Sequence, residues 1–234
     1  ELGDDLANLY IDEVDKVLNE YCTSGVPKVY KSNDELRLKC IQNNLRLLDM
    51  NVKHLGTDNN YLTMQNLINA IRASGTELYS FYDCEKVEKQ GSVYNLTYAN
   101  GEVFEAANVI IATGRSGANF VADFCKSNGV KMRSNHIDIG VRVEMKDIIW
   151  REFSSKIYEP KILYKTKTFE DRCRMFCFNQ GGLVSAENNH GIITANGHSY
   201  AQKEKKTDNC NFAILSSIRF TEPFNQPTEY AENI

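Results

Sequence analysis

The chain has 234 residues, 42% of them apolar and 25% charged, with 14 Gly and only 4 Pro, which excludes a collagenous, Pro/Gly-rich or broadly disordered chain. Lys and Arg number 27 against 31 Asp and Glu, a net charge of −4, so the basic field that nucleic-acid binding needs is missing. No apolar run approaches the ~18 residues of a membrane span.

The N-terminal stretch reads as helical. Ile11, Val14, Val17, Leu18 and Tyr21 recur at helical spacing and predict one apolar face. Ser32 and Glu35 stand three apart, a capping-box pattern that predicts a helix over Leu36–Met50. Met64, Leu67, Ile68 and Ile71 follow the same spacing, and Gly75 closes that helix.

After Gly75 the period shifts towards two. Leu78–Val87 and Val93–Tyr98 predict strands joined at Gln90-Gly91, and Asn100-Gly101 turns the chain into Glu102–Glu105, a small antiparallel meander. The nearly all-apolar run Asn108–Ala112 suits a fully buried strand of a parallel sheet. Ala118–Ser127 predicts a helix ended by Asn128-Gly129.

Beyond residue 131 strands dominate. Ile137, Ile139, Val141 and Val143 alternate with Asp138, Gly140, Arg142 and Glu144, a half-buried strand with one polar face. Arg172–Phe178, Leu183–Ala186, Gly191–Ala195 and Asn211–Ile218 are further strands, Asn196-Gly197 is read as a turn, and the last dozen residues as a loop or frayed tail. The fold class expected is α+β or α/β: residues 1–130 hold the helices and the meander, and residues 131–234 form a strand-rich part.

Few motifs carry chemistry. Val109-Ile-Ile-Ala-Thr-Gly-Arg-Ser-Gly117 runs into a helix. Its glycines permit close backbone approach, and the helix N-terminus with Arg115 suits an anion such as phosphate. Tight strand–helix turns use glycine for steric reasons too. Gly-x-Gly-x-x-Gly and Walker patterns are absent. Cys173, Cys177, His190 and His198 miss zinc-finger spacing, and two cysteines four apart on one strand lie about 13 Å from each other. No metal is therefore expected. A Cys177–His198 nucleophile pair is conceivable, although a buried thiol is usually a small hydrophobe. Arg142, Glu144 and Asp138 form either a solvated or paired strand face or a polar wall of a substrate cavity, and Phe176 and Phe178 on one strand face read as core, with stacking on a flat ligand as the alternative. The seven cysteines are odd in number and scattered; with no export signal in view, reduced thiols in a cytoplasmic protein are expected, and Asn95-Leu-Thr97 is a chance sequon.

His54-Leu-Gly-Thr-Asp-Asn59, Ile110-Ile-Ala-Thr-Gly-Arg-Ser-Gly117, Asp138-Ile-Gly-Val-Arg-Val-Glu144, Arg174-Met-Phe-Cys177, Asn196-Gly-His-Ser199 and Asn211-Phe212 occur in that order. The ordered set resembles the family of uncharacterised FAD-dependent dehydrogenases related to glutathione-reductase-type flavoproteins. The resemblance implies a partial, Rossmann-like FAD-binding domain followed by a strand-rich substrate domain. It implies that Ala112, Thr113, Gly114 and Arg115 pass close to FAD, that Asp83 and Cys84 lie near its adenine, and that the strands with Arg142 and Cys177 approach its isoalloxazine. The family's Gly-rich fingerprint and closing Gly-Asp segment are not in this sequence. The resemblance therefore implies an internal portion of such an oxidoreductase that by itself holds FAD weakly or not at all. The reading from another class is a non-catalytic binding or scaffold module that keeps the fold without cofactor. Substrate, catalytic residues and oligomeric state stay open.

Overall fold

The computed structural model describes all residues except 1–2, 134, 190, 222, 224–226 and 234. In chain order the elements are α1 (Asp4–Glu20), β1 (Val29–Tyr30), α2 (Asp34–Gln42), β2 (Arg46–Leu47), β3 (Val52–Lys53), α3 (Thr57–Ala73), β4 (Cys84–Gln90), β5 (Val93–Tyr98), β6 (Val103–Ala106), α4 (Ala118–Ser127), β7 (Ile137–Lys146), α5 (Asp147–Ser154), β8 (Ile162–Lys165), β9 (Arg172–Gln180), β10 (Leu183–Asn189), β11 (Ile192–His198), β12 (Asn209–Ile218) and α6 (Pro227–Glu232). Helix and strand share the chain, and every strand pairing among the described residues is antiparallel.

The main sheet has the order β2-β8-β9-β12-β7. One face packs on α2 and α5 through Leu36, Cys40, Leu47, Ile157, Ile162, Met175, Phe178, Cys210 and Phe212, with Trp150 and Phe153 against them. Phe178 is 2% exposed and Leu36 fully buried. Truncating Phe178 to Ala should cost about 3–5 kcal/mol. The core draws α2 and β2 from the first part of the chain, so residue 131 does not separate two cores. The β10–β11 hairpin lies outside this sheet, over its other face. The meander β4-β5-β6 forms as expected, with Gly91 and Gly101 in left-handed turns. Tyr79, Tyr82, Tyr98 and Phe104 pack ring to ring on it.

Several expectations need correction. The helix predicted over Leu36–Met50 is α2, and it stops at Gln42. Asn44 adopts φ +57 and returns the chain into β2. Its cap is Asn33, whose side chain accepts from the Leu36 N–H at 3.0 Å, not Ser32. The strand predicted at Leu78–Val87 begins only at Cys84, because Phe81 takes the left-handed φ +64. Asn196-Gly197 lies inside β11 rather than in a turn. The tail carries α6, which opens at Pro227, a position where a missing N–H costs nothing. Asn108–Ala112 is not a buried strand. Its backbone makes no hydrogen bond among the described residues, and Ile110 is 92% exposed. The apolar stripe of α1 is likewise exposed, with Ile11 at 63%.

Candidate functional site

The segments with Arg142, Cys177, Gly197 and Asn211 meet on the outer face of the main sheet. Opposite residues of antiparallel strands share a face. Ala213 of β12 faces Arg142 on β7 and Phe176 on β9, while Asn211 faces Glu144 and Asn179. Between these pairs β9 carries a bulge in which Cys177 and Phe178 oppose Phe212 alone. Cys177 is the left-handed residue, φ +54, a conformation that favours glycine. The bulge resets the alternation. Met175 and Phe178 enter the core, while Phe176 stays outside under the Arg174 guanidinium, 4.9 Å from its ring centre. The expectation that Phe176 and Phe178 share one core face is corrected by that extra residue.

Glu159, just before Pro160, stabilises the strained turn: its carboxylate accepts the Cys177 N–H at 2.7 Å. Burial, and next the Glu159 charge, push the Cys177 thiol up, while Arg142, Lys161 and Arg174 pull it down. Arg142 donates from Nη1 to Asn211 Oδ1 at 2.7 Å and from Nε to the Ala195 carbonyl at 3.3 Å. Asn179 donates to the same Asn211 oxygen at 3.2 Å and to the Cys177 carbonyl at 2.8 Å. Asn211 is fully buried. Gly197 closes the group from above, since a Cβ there would run into Asn211 Oδ1, Arg142 Nη1 and Asn179 Nδ2. Farther along the face Asp138 pairs with Arg174 and accepts from Ser217. The polar strand face is thus paired at Asp138 and hydrogen-bonded at Arg142, while Glu144 is exposed.

A second layer fixes the loop after β11. Thr57 N–H donates to the Ser199 carbonyl at 3.0 Å. Asp58 accepts from the Ala201 and Gln202 N–H groups at 2.9 and 3.2 Å, which hold its carboxyl below the ordinary range. Gly56, φ +90, allows this docking, because a Cβ would stand 2.7 Å from the Ala201 nitrogen. The Asp58 segment and the Gly197 segment are therefore one structural unit. His54 stacks on Tyr158 with ring centres 4.0 Å apart. Burial pushes the imidazole pKa down, and its Nε2 has no hydrogen-bond partner.

The glycine turn lies at the N-terminal end of α4. Gly114 has φ +64 with open space where a Cβ would stand, and Gly117 has none because Thr113 fills it. Arg115 donates to Glu187 of β10 at 2.9 Å, and Glu187 accepts from Asn196 at 2.6 Å. Asn196 Oδ1 in turn accepts the Gly197 N–H at 2.8 Å. A polar chain therefore runs from the turn to the Arg142 cluster.

Asp83 and Cys84 stand at the start of the meander. The Asp83 carbonyl accepts from Ala99 at 2.9 Å, and burial pushes the Cys84 thiol up. Among the described residues no hydrogen bond or ion pair joins them to Ala112–Arg115. A cleft of about 380 Å³ between β4 and α4, floored by Val87, Phe120 and Phe124, contains none of these six residues.

Among the described residues no group of His, Cys, Asp and Glu is arranged to hold a metal ion, and His190 lies outside them. Among the described residues no hydrogen bond joins Cys177 and His198, and the Cys177 N–H is donated to Glu159. All seven cysteines are free thiols. No described helix is long and apolar enough to cross a membrane. The sequence reading missed Glu159, Lys161 and Asn179, which carry no motif and enter only through the bulge.

Comparison with known proteins returns no matching family model and no matching curated protein.

Proposed function

We propose that the chain is the internal portion of an FAD-dependent oxidoreductase, with FAD held along Ala112, Thr113, Gly114 and Arg115 and its adenine end near Asp83 and Cys84. The observation that carries this reading is the unpaired apolar run Asn108–Ala112 leading into the open, left-handed Gly114 turn. An extended apolar run outside every sheet, with Ile110 92% exposed, is a surface suited to being covered. Small residues, unused N–H groups and the start of α4 suit close approach of a phosphate-bearing cofactor. These residues fit one wall of such a site.

When bound, the flavin supplies the hydride and electron chemistry. The chain's own residues do the rest. The Arg115–Glu187–Asn196 links hold the turn against the hairpin, and the hairpin seats Gly197 on the Arg142 cluster. The cluster faces a substrate with a cation and a thiol held in fixed positions. With one wall present, FAD is expected to bind weakly and to be lost on purification.

Backbone amide shifts recorded during an FAD titration of the 234-residue chain test this. The proposal expects changes confined to Asp83, Cys84 and Ala112–Arg115 and their neighbours. Shifts elsewhere, or none at saturating cofactor, overturn it. The scaffold reading, a non-catalytic module, takes its place if the same amides respond to an added strand-forming peptide and not to FAD.

A further inference from the structure

We propose that Arg142 and Lys161 form a carboxylate-binding site beside Cys177, for a small organic acid, with Asn211 holding the Arg142 guanidinium in place. The inference stands on geometry independent of the flavin reading; if both hold, it gives that enzyme's substrate class.

The first observation is a guanidinium without a carboxylate. Arg142 is half-buried, and its two hydrogen bonds go to a neutral carbonyl and a neutral amide oxygen. Its Nη2 makes no hydrogen bond among the described residues, and none of the ion pairs there uses Arg142. A cation withdrawn from water and left unpaired is costly, and a structure bears that cost where an anion is to be received. The two bonds also fix the guanidinium plane, so a ligand would meet an oriented donor.

The second observation is the local charge balance. Cys177 feels three cations, Arg142, Lys161 and Arg174, against one carboxylate, Glu159. Arg174 is engaged with Asp138, and Glu159 with the Cys177 N–H. Lys161 is in no ion pair among the described residues, so Arg142 and Lys161 are two unneutralised charges flanking one thiol. The third observation is Asn211: the residue is fully buried, and its Oδ1 accepts from both Arg142 and Asn179, so the guanidinium is anchored on a fixed acceptor and keeps Nη2 for a ligand. The bulge places the accessible Cys177 at the mouth of this group.

Alkylation rates test the site with a probe that is itself a carboxylate. Iodoacetate and iodoacetamide both lose iodide to a thiolate, forming one S–CH₂ bond while the thiol proton goes to solvent. Both need the same thiolate, so their rate ratio is independent of thiol ionisation. Peptide mass analysis gives the ratio at Cys177, with Cys173 and Cys125 as references. The iodoacetate-to-iodoacetamide ratio at Cys177 should exceed the references by about tenfold, the size of one favourable charge contact. Excess acetate should abolish the preference, and sodium chloride at the same ionic strength should leave it. Arg142→Gln and Lys161→Gln should each reduce it. The Lys161 side chain makes no hydrogen bond among the described residues, and its carbonyl keeps the Leu48 N–H in any variant, so Lys161→Gln folds even if the Arg142 variant does not. A ratio at Cys177 equal to the references overturns the proposal. So does a preference that survives in Lys161→Gln and a folded Arg142→Gln, or one that sodium chloride removes as well as acetate.

Discussion

The Cys177 N–H donates to Glu159 Oε1 at 2.7 Å while Cys177 itself holds φ +54. A non-glycine residue in that region carries roughly 1 kcal/mol of strain. Cys177→Gly should therefore leave stability unchanged or raise it by up to about 1 kcal/mol, as measured by urea unfolding. Cys173→Gly, in regular strand four residues earlier, should cost about 1 kcal/mol. Glu159→Ala removes the acceptor and should cost about 1–2 kcal/mol. Equal losses in the two glycine variants would show that the bulge is unstrained.

Gly197 and Gly114 separate two reasons for a glycine. A Cβ at Gly197 collides with Asn211, Arg142 and Asn179, so Gly197→Ala should cost about 2–4 kcal/mol and abolish the iodoacetate preference at Cys177. Gly114 has open space and only its positive φ, so Gly114→Ala should cost about 1 kcal/mol and leave Cys177 unaffected. Thermal unfolding of both variants checks the order.

His54 predicts a pH dependence. Burial, with Lys206 next, lowers its pKa from 6.5, so the unfolded chain binds more protons around and below that pH. Stability should therefore rise with pH there, and fall as pH drops below about 6.5. His54→Phe keeps a ring to stack on Tyr158 and cannot titrate. Its denaturation midpoint should change less between about pH 7.5 and 5.5 than that of the wild type. Parallel curves would contradict the assignment.

Arg115 is 78% exposed in its pair with Glu187. Exposed ion pairs contribute little, so Arg115→Ala should cost under about 1 kcal/mol. Its effect should appear instead as faster amide exchange across Thr113–Gly117, read by mass spectrometry. A large loss of stability would mean that the pair is structural.

Much of the fold is legible in the sequence where one local rule acts alone. The strand over Ile137–Glu144, the Asn100-Gly101 turn and the Ala118–Ser127 helix form as written, although Val141, expected on the apolar face, is 63% exposed while Asp138 and Arg142 are half-buried. What escapes depends on a partner or on an extra residue. Cys177 looks like an ordinary strand position, and only its pairing with β12 makes it a bulge. Asn196-Gly197 carries a turn signature, yet pairing with Ser185 and Val184 keeps it in strand. Asn108–Ala112 reads as a core strand because its composition asks for neighbours, and no described segment supplies them. The polar face of Arg142 was visible; its closure by Asn179, Asn211 and Gly197 needed three segments far apart in sequence.

The account turns on Asn108–Ala112, and hydrogen–deuterium exchange of this run with and without FAD tests it most directly. Its amides should exchange almost without protection in the chain alone and become protected, together with Thr113–Arg115, when FAD is added. Strong protection before FAD is added, or no change after it, would contradict the assignment of this run and its glycine turn to the cofactor wall.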